Sequence, residues 1–375
     1  MLKKEDLNYA ANQTEEGILN YHVLESMADW VRVIDKEGNI IYANKTMKDE
    51  LGHDIVGKKC YTCYEKTDYC NFCITERTIS TGEIVQKEQM VFGKHFSIKS
   101  SPVTNSKGEI YAAVEVFRDV SRERKLELEL IKKNKKMRID LGFARRIQEK
   151  ILPNKGRFYN LNVDYIYNPS EMLSGDMFDI FPIDSEHVGI YISDVSGHGV
   201  AASMTTMFIR QTMRSIRDDI LNPACALTEL HRRFQDLNLE VDKYFTIFYA
   251  VLNTSTYEIK YANAGHNCIP LKYNNKDNSI ELLKVKGYPI VLLFQEIKYE
   301  EKIIQLEKND KILLYTDGIT EMKSRDGVEF GVEGLIKLIE DNKDISLSEI
   351  EETIINYSWA EQEDDFAMVL VEIDD

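Results

Sequence analysis

The chain has 375 residues, of which 43% are hydrophobic and 29% charged, and its formal net charge is −16. This length predicts two or three folded domains, and the composition excludes a largely disordered chain. The acidic balance argues against nucleic acid as a partner, because nucleic-acid binders need clustered lysine and arginine facing the phosphates. The N-terminus lacks the apolar core of a signal peptide, and no apolar run is long enough to span a bilayer. We therefore expect a soluble cytoplasmic protein without a membrane partner.

The first predicted domain covers residues 23–120 and follows a helical N-terminal extension, residues 1–22. The β-branched run from Trp30 to Asp35 predicts a strand, and a polar turn leads into a second strand, Ile40 to Ala43. A helix through Leu51 and three antiparallel strands follow. The three strands are predicted around 83–91, 94–100 and 109–117. This order predicts a small α+β domain.

Two segments of this domain, DWVRVIDKEGNIIYAN and GEIYAAVEVFRDVSRER, resemble the beginning and the end of a PAS domain. The resemblance covers roughly residues 23 to 122. It implies a sensory or dimerising module, and a dimerisation module with an empty core is an equal alternative.

Four of the six cysteines form two CxxC pairs inside the PAS-like domain. They are Cys60, Cys63, Cys70 and Cys73. Paired CxxC units are typical of tetrahedral thiolate sites, so zinc or an iron–sulfur cluster fits this spacing. A reversible dithiol sensor and the absence of any chemistry remain open alternatives. The other two cysteines, Cys225 and Cys268, are predicted to be small buried residues.

Residues 121–153 predict a long helix, because the segment contains no proline before Pro153 and is rich in Glu, Lys, Leu and Arg. Mostly apolar residues recur in it at alternating steps of four and three, which is the seam of a parallel coiled coil. The seam residues are Leu130, Asn134, Met137, Leu141, Ala144, Gln148 and Ile151. The pattern predicts a homodimer through this helix and the PAS-like domain. A single helix packed on one domain is the alternative.

A second domain, residues 154–375, contains strands separated by turns. Asp176 and Asp194 lie at equal distances from the turn residue Ser185. In a simple hairpin they would face each other with Cβ atoms about 5 Å apart. Two carboxylates held so close repel each other unless a cation lies between them.

A second acidic pair is predicted from segments that are distant in sequence. The strand 311–316 runs into Asp317, and Asp364 precedes the strand 366–373. Antiparallel pairing of these strands would bring the two aspartates together. Oxygen ligands without nearby His or Cys favour Mg²⁺ or Mn²⁺. Two such ions would activate water for in-line attack on a phosphate.

Six segments, in this order, resemble the metal-dependent protein phosphatase (PPM) family, in its stage II sporulation protein E-like and RsbU-like branch. The segments are FARRIQEKILP, SGDMFD, YISDVSGHGVAAS, YANAGHN, LLYTDGITE and EDDFAMVLV. The resemblance covers about residues 140 to 375. It implies an αββα sandwich, so the fold class is α+β throughout, with a PAS-like sensor and a coiled-coil linker before the phosphatase.

The resemblance also implies the metal ligands. Asp194 would bridge two Mn²⁺ or Mg²⁺ ions, with Asp176 and the carbonyl of Val195 on one ion. Asp317 and Asp364 would hold the other ion, and Asp365 is the alternative to Asp364.

Further residues are carried over in supporting roles. Asp179 would orient water or a ligand, and Gly197 and Gly199 would let the backbone pass close to the ions. His198 is a candidate general acid or a loop-ordering residue, and His266 is expected to be structural.

In this branch the phosphatase is typically controlled from upstream, and Arg145, Arg146 and Gln148 match the pattern of the regulatory helix. The implied substrate is a phosphorylated protein, by family analogy an anti-sigma-factor antagonist. Two other functions compete with this one. A catalytically silent PAS-linked protein would only bind a partner, and retention of the four aspartates argues against it. A sensor kinase would need a glycine-rich nucleotide loop, and the sequence of the C-terminal half has none.

Overall fold

The computed structural model of the chain describes residues 15–64, 66–68, 70–217, 219–239, 243–294, 297–342, 345–359, 362 and 364–374. The chain divides into two compact units, one ending at Lys136 and one beginning at Met137. Most of the predicted extension 1–22 lies outside the described residues. No helix among the described residues is long and apolar enough to cross a membrane.

The first unit contains one antiparallel sheet with short helices. Its helices are α1 (Glu15–Ser26), α2 (Lys45–Leu51) and α3 (Ile74–Thr81). Its strands are β1 (Trp30–Asp35), β2 (Ile40–Ala43), β3 (Val85–Val91), β4 (Lys94–Thr104) and β5 (Ile110–Asp119). They form a sheet in the order β2-β1-β5-β4-β3. The predicted hairpin and the three later strands are confirmed.

A buried ion pair crosses the core of this unit. Arg32 lies on β1 and Glu115 on β5, and Nη2 of Arg32 is 2.7 Å from Oε2 of Glu115. Arg32 also donates to the carbonyl of Cys60, and Thr75 donates to Glu115. A buried charge needs such partners, because desolvation alone would cost several kcal/mol. The network therefore fixes the segment that follows Cys60 and the start of α3 against the sheet.

Helix α4 (Ser121–Lys150) confirms the predicted long helix. Leu130 and Met137 of the predicted seam are exposed. Gln148 is not available to a seam between chains, because its side chain is buried and bound within the second unit. The heptad pattern missed this, since a polar residue at a seam position can equally face a neighbouring loop.

The second unit is built from two six-stranded sheets. The first contains β8 (Asp176–Pro182), β9 (His187–Val195), β10 (Tyr244–Asn253), β11 (Glu258–Ala264), β14 (Ile290–Val291) and β15 (Glu301–Gln305). The second contains β6 (Gly156–Phe158), β7 (Leu161–Asn168), β12 (Leu271–Asn274), β13 (Ser279–Leu282), β16 (Lys311–Tyr315) and β17 (Phe366–Ile373). Their strand orders are β15-β11-β10-β9-β8, with β14 on β10, and β13-β12-β16-β17-β7-β6.

Helices cover the outer faces of both sheets, so the architecture is the predicted αββα sandwich. The helices are α5 (Gly199–Ser215), α6 (Pro223–Gln235), α7 (Asp317–Thr320), α8 (Gly331–Asp341) and α9 (Leu347–Tyr357). Alternate residues of each strand enter different cores: on β8, Phe178 packs between the sheets and Met177 packs under α5 and α6. Because side chains alternate between the two faces of a strand, only aspartates an even number of residues from Phe178 on β8 can lie between the sheets.

Candidate metal centre

Asp176 and Asp194 are direct partners in the β8–β9 ladder, as predicted. Both lie on the face that packs against the second sheet, because Phe178 and Ile192, two residues away on each strand, belong to the core between the sheets. Asp176 is only 3% exposed. The hairpin therefore places two carboxylates at one end of the space between the sheets.

The second sheet contributes the residues that close this end. β16 pairs antiparallel with β17, and Thr316, just beyond β16, donates to the carboxylate of Asp176 at 2.7 Å. The same hydroxyl accepts from the backbone N–H of Ala367. Thr316 thus joins the two sheets, and Asp317 follows it directly. The sequence did not reveal this residue, because the bond depends on how the sheets pack.

The carboxylates raise one another's proton affinity. Burial is the main cause that raises the pKa of Asp194 to about 7, and Asp317 and Asp364 add to it. Burial and the charge of Asp194 hold the pKa of Asp176 well above its usual range. The pKa of Asp317 is also raised, by burial and by Asp364. The charges of Asp194, Asp317 and Asp364 therefore each act on a neighbouring carboxylate of this cluster.

Glu321 joins the same acidic cluster, and sequence reasoning missed it. Burial and the charge of Asp317 raise the pKa of Glu321, and Glu321 in turn acts on Asp194. The signal was present in the sequence, because a residue four positions after Asp317 shares its face on a helical turn.

Asp364 and Asp365 have different surroundings. Asp365 is 4% exposed, and its carboxylate accepts from the N–H and hydroxyl of Ser170 and from the N–H of Gly175. The side chain of Asp364 accepts only from the N–H of Asp365 among the described contacts, at 2.8 Å. Asp364 therefore has free ligand oxygens, whereas Asp365 secures the loop before Asp176.

Gly318 brings these two loops together. A Cβ atom at this position would collide with the carbonyl oxygen of Asp365. Only glycine allows the backbone after Asp317 to approach the backbone after Asp364 this closely.

The prediction that Asp179 supports the metal ligands is wrong. Asp179 is three residues from Asp176 and so lies on the opposite face of β8, under α5. Both of its oxygens accept from Arg214, at 2.6 and 2.9 Å, and Arg210 lies 3.4 Å away. Asp179 is part of the buried contact between the sheet and α5.

The loop 195–199 adjoins the cluster. The N–H of Val195 donates to the carbonyl of Gly175, and Gly197 and Gly199 have φ values of 85° and 78°. His198 is exposed, and its Nδ1 is 3.0 Å from a carboxylate oxygen of Glu171. That contact orders the loop, so the described contacts favour the loop-ordering interpretation of His198.

His266 is buried on the other side of the cluster. Its Nε2 faces the carbonyl of Tyr315 at 3.0 Å, so Nε2 carries the proton, and Nδ1 faces the hydroxyl of Thr246 at 3.1 Å. Burial lowers the pKa of His266 to about 4. This neutral histidine positions the end of β16, which agrees with the predicted structural role.

The predicted regulatory helix touches the loop that precedes Asp176. The amide of Gln148 donates to the carbonyl of Ser174 at 2.8 Å and accepts from the N–H of Ser174 at 3.1 Å. Arg145 instead pairs with Glu149 on the helix surface, and Arg146 lies over the ring of Phe143. Of the three predicted regulatory residues, Gln148 alone has a described contact with the loop of the acidic cluster.

The cysteines of the first unit differ in burial. Cys60 and Cys63 are buried, whereas Cys70 and Cys73 are partly exposed. Cys60 and Cys73 line one cavity of about 500 Å³. Cys268 is buried, but the prediction for Cys225 is wrong, because it is exposed on the first turn of α6.

Within the residues that the structure describes, no three His, Cys, Asp or Glu side chains lie close enough together to hold a metal ion. The donor set of the aspartate cluster is made of oxygens alone, which is the set that Mg²⁺ and Mn²⁺ prefer. The residues therefore fit divalent ions.

Two sheets with helices outside and clustered carboxylates between them define a protein of the metal-dependent phosphatase fold, and a PAS domain precedes it. Residues 184–374 match the model of the Stage II sporulation protein E (SpoIIE) family, and residues 28–122 match the PAS domain model. The chain belongs to the SpoIIE family.

Two curated relatives and one solved structure agree with this assignment. The phosphoserine phosphatase RsbU of Bacillus subtilis (strain 168) is 28% identical over 269 residues, which cover 70% of this chain and 75% of RsbU. The phosphoserine phosphatase RsbP of the same organism is 27% identical over 242 residues, 62% of this chain and 58% of RsbP. The SiaA-PP2C domain of Pseudomonas aeruginosa superposes with a TM-score of 0.55 at 20% identity, covering 64% of this chain and 98% of that domain. The last likeness concerns the fold alone.

Proposed function

We propose that this protein is a sensor-regulated phosphatase that hydrolyses phosphoserine or phosphothreonine on a partner protein. The observation that carries the proposal is that Asp176 faces Asp194 in the β8–β9 ladder, while burial and the charges of Asp317 and Asp364 raise the pKa of Asp194 to about 7. Homology to two phosphoserine phosphatases supports it.

The cofactor of this site is a pair of divalent ions, Mn²⁺ or Mg²⁺. Asp194 would be a ligand of both ions. Asp176 and the carbonyl of Val195 would complete the site of one ion, and Asp317 and Asp364 would complete the site of the other. Bound ions would supply an activated water and the positive charge that attack on a phosphate requires. The protein itself holds the ligands in place, through Thr316 on Asp176 and through Asp365 on the preceding loop.

The substrate we propose is a phosphorylated partner protein of a partner-switching system, an anti-sigma-factor antagonist by analogy with the family. The PAS domain and α4 would act upstream as sensor and transmitter, in a homodimer. The contact of Gln148 with Ser174 supports a route from α4 to the loop before Asp176.

The paired CxxC spacing supports a second, separate proposal, a zinc ion or iron–sulfur cluster in the PAS domain. All four thiols would have to be ligands in such a site. Anaerobic purification with visible absorption spectra and metal analysis tests it, with the Cys60→Ser/Cys73→Ser double variant as control. A protein that contains neither metal nor visible absorbance contradicts the proposal.

The phosphatase is tested by phosphate release from a phosphoserine peptide with Mn²⁺ or Mg²⁺ present. We expect release that is abolished by chelation and by Asp194→Asn. It should be unchanged in Asp164→Asn, because Asp164 lies on β7 and its side chain pairs with Lys155. A wild-type protein that binds the peptide without hydrolysing it would support the catalytically silent alternative.

A further inference from the structure

An exposed arginine lies against an exposed tryptophan on the second unit. The guanidinium carbon of Arg325 is 4.5 Å from the ring centroid of Trp359, within the range of a cation–π interaction. The ring is nevertheless 68% exposed. Tryptophan and arginine with exposed contact surface are the residues most enriched at the energetic centres of protein interfaces.

This pair lies close in sequence to two of the proposed metal ligands. Arg325 lies in the turn that follows α7, eight residues after Asp317, and Trp359 lies five residues before Asp364. The N–H of Trp359 donates to the carbonyl of Lys323 at 3.1 Å. The backbone therefore holds the two residues together independently of their side chains.

Packing within the domain does not account for the tryptophan. The neighbouring Tyr357 already fastens this turn, because its hydroxyl donates to the carbonyl of Val328 and its ring packs on Phe330 at 5.3 Å. The Trp359 ring supports the guanidinium on one side and leaves most of its surface to solvent.

Arg325 is a cation without a close acidic partner among the described residues. Lys323 lies 4.0 Å from Glu329 and is partly neutralised. Among the described residues, no carboxylate lies within 4 Å of the Arg325 guanidinium. The nearby metal site is rich in carboxylates, so an acidic substrate segment needs a local cation to approach it.

We propose that Arg325, supported by Trp359, binds an acidic side chain next to the phosphorylated residue of the protein substrate. This inference rests on the proposed phosphatase function and adds a determinant of substrate choice. An arginine braced on a ring presents its fork of N–H donors to a carboxylate with little loss of rotamer freedom.

The test compares two phosphoserine peptides of equal length, one with glutamates and one with alanines after the phosphoserine. Wild type should have the lower KM for the acidic peptide. Arg325→Ala should raise that KM about tenfold, equivalent to ~1.4 kcal/mol, while kcat and hydrolysis of p-nitrophenyl phosphate stay unchanged. The KM of Arg325→Lys for the acidic peptide should lie between those of wild type and Arg325→Ala, because lysine keeps the charge and loses the planar stack.

Arg157→Ala is the matched control, an exposed arginine on β6. Equal KM values for Arg325→Ala and Arg157→Ala on both peptides would overturn the inference. Thermal melting of each variant separates a folding defect from a loss of recognition.

Binding can be followed without catalysis. The chain has two tryptophans, and Trp30 is buried in the PAS core. In Asp194→Asn, the acidic peptide should change the fluorescence of Trp359, and addition of Arg325→Ala should remove the change. A fluorescence response without hydrolysis in wild type would refute the phosphatase function and support the docking site. Hydrolysis without preference between the two peptides would support the phosphatase function and refute the docking site.

Discussion

At the scale of single residues, the neighbours Asp364 and Asp365 separate metal binding from structural support. Asp365→Asn should destabilise the domain, because an amide group cannot accept all three of the hydrogen bonds from Ser170 and Gly175. A lost or reversed buried bond costs ~1–3 kcal/mol. Urea unfolding of the metal-free protein measures the loss.

Asp364→Asn should have the opposite signature. We expect unfolding in urea close to that of wild type, together with loss of Mn²⁺-dependent phosphate release. If Asp365→Asn were the variant with native stability and no activity, the assignment of the two residues would have to be exchanged.

His266 makes a second prediction, on acid stability. Its pKa is about 4 in the folded protein and ~6.5 in the unfolded chain. Because the folded pKa is lower, the unfolded state binds more protons than the folded state between these two values. The contribution of His266 to the free energy of unfolding is therefore fully present above pH ~6.5 and is lost as the pH falls toward 4. The contribution lost is ~3 kcal/mol for a fully buried group.

The measurement is the free energy of unfolding of wild type and of His266→Gln between pH 7.5 and 4. Other titrating groups affect both proteins, so the difference between the two isolates His266. We expect this difference to shrink as the pH falls. Parallel curves would show that the histidine is not held neutral.

At the scale of elements, the sequence predicted what depends on one strand pair and missed what depends on sheet-to-sheet packing. The facing of Asp176 and Asp194 follows from symmetry about one turn, and it is confirmed. The bond from Thr316 to Asp176 connects different sheets, which no local pattern describes. Asp179 was misassigned although its odd spacing from Asp176 already pointed to the other face of the strand.

Helix α4 is the element that we propose as the transmitter of a signal. Gln148→Ala removes both hydrogen bonds to Ser174, so the loop before Asp176 becomes freer and metal binding must order it. We expect half-maximal activity to require about tenfold more Mn²⁺. Loss of a residue that orients a metal ligand weakens metal affinity by about tenfold or more. Activity at saturating Mn²⁺ should recover.

Lys150→Ala is the control for this experiment, an exposed residue on the last turn of the same helix. An unchanged Mn²⁺ requirement in Gln148→Ala would mean that the helix contact is only structural.

At the scale of the whole molecule, the exposed apolar residues of α4 bear on the proposed dimer. Leu130 and Met137 are each more than half exposed, at 59% and 57%, at heptad spacing. In a parallel dimer they would be buried, whereas a glutamate at each position would place like charges opposite one another in a seam that favours apolar contact. Leu130→Glu/Met137→Glu should therefore shift the full chain from dimer to monomer at micromolar concentration, as measured by analytical ultracentrifugation.

Lys132→Glu/Lys136→Glu, which changes exposed residues of the same helix outside the predicted seam, should leave the dimer intact. A wild-type chain that sediments as a monomer at these concentrations would exclude transmission through a paired helix and leave the contact of Gln148 as the remaining route to the metal site.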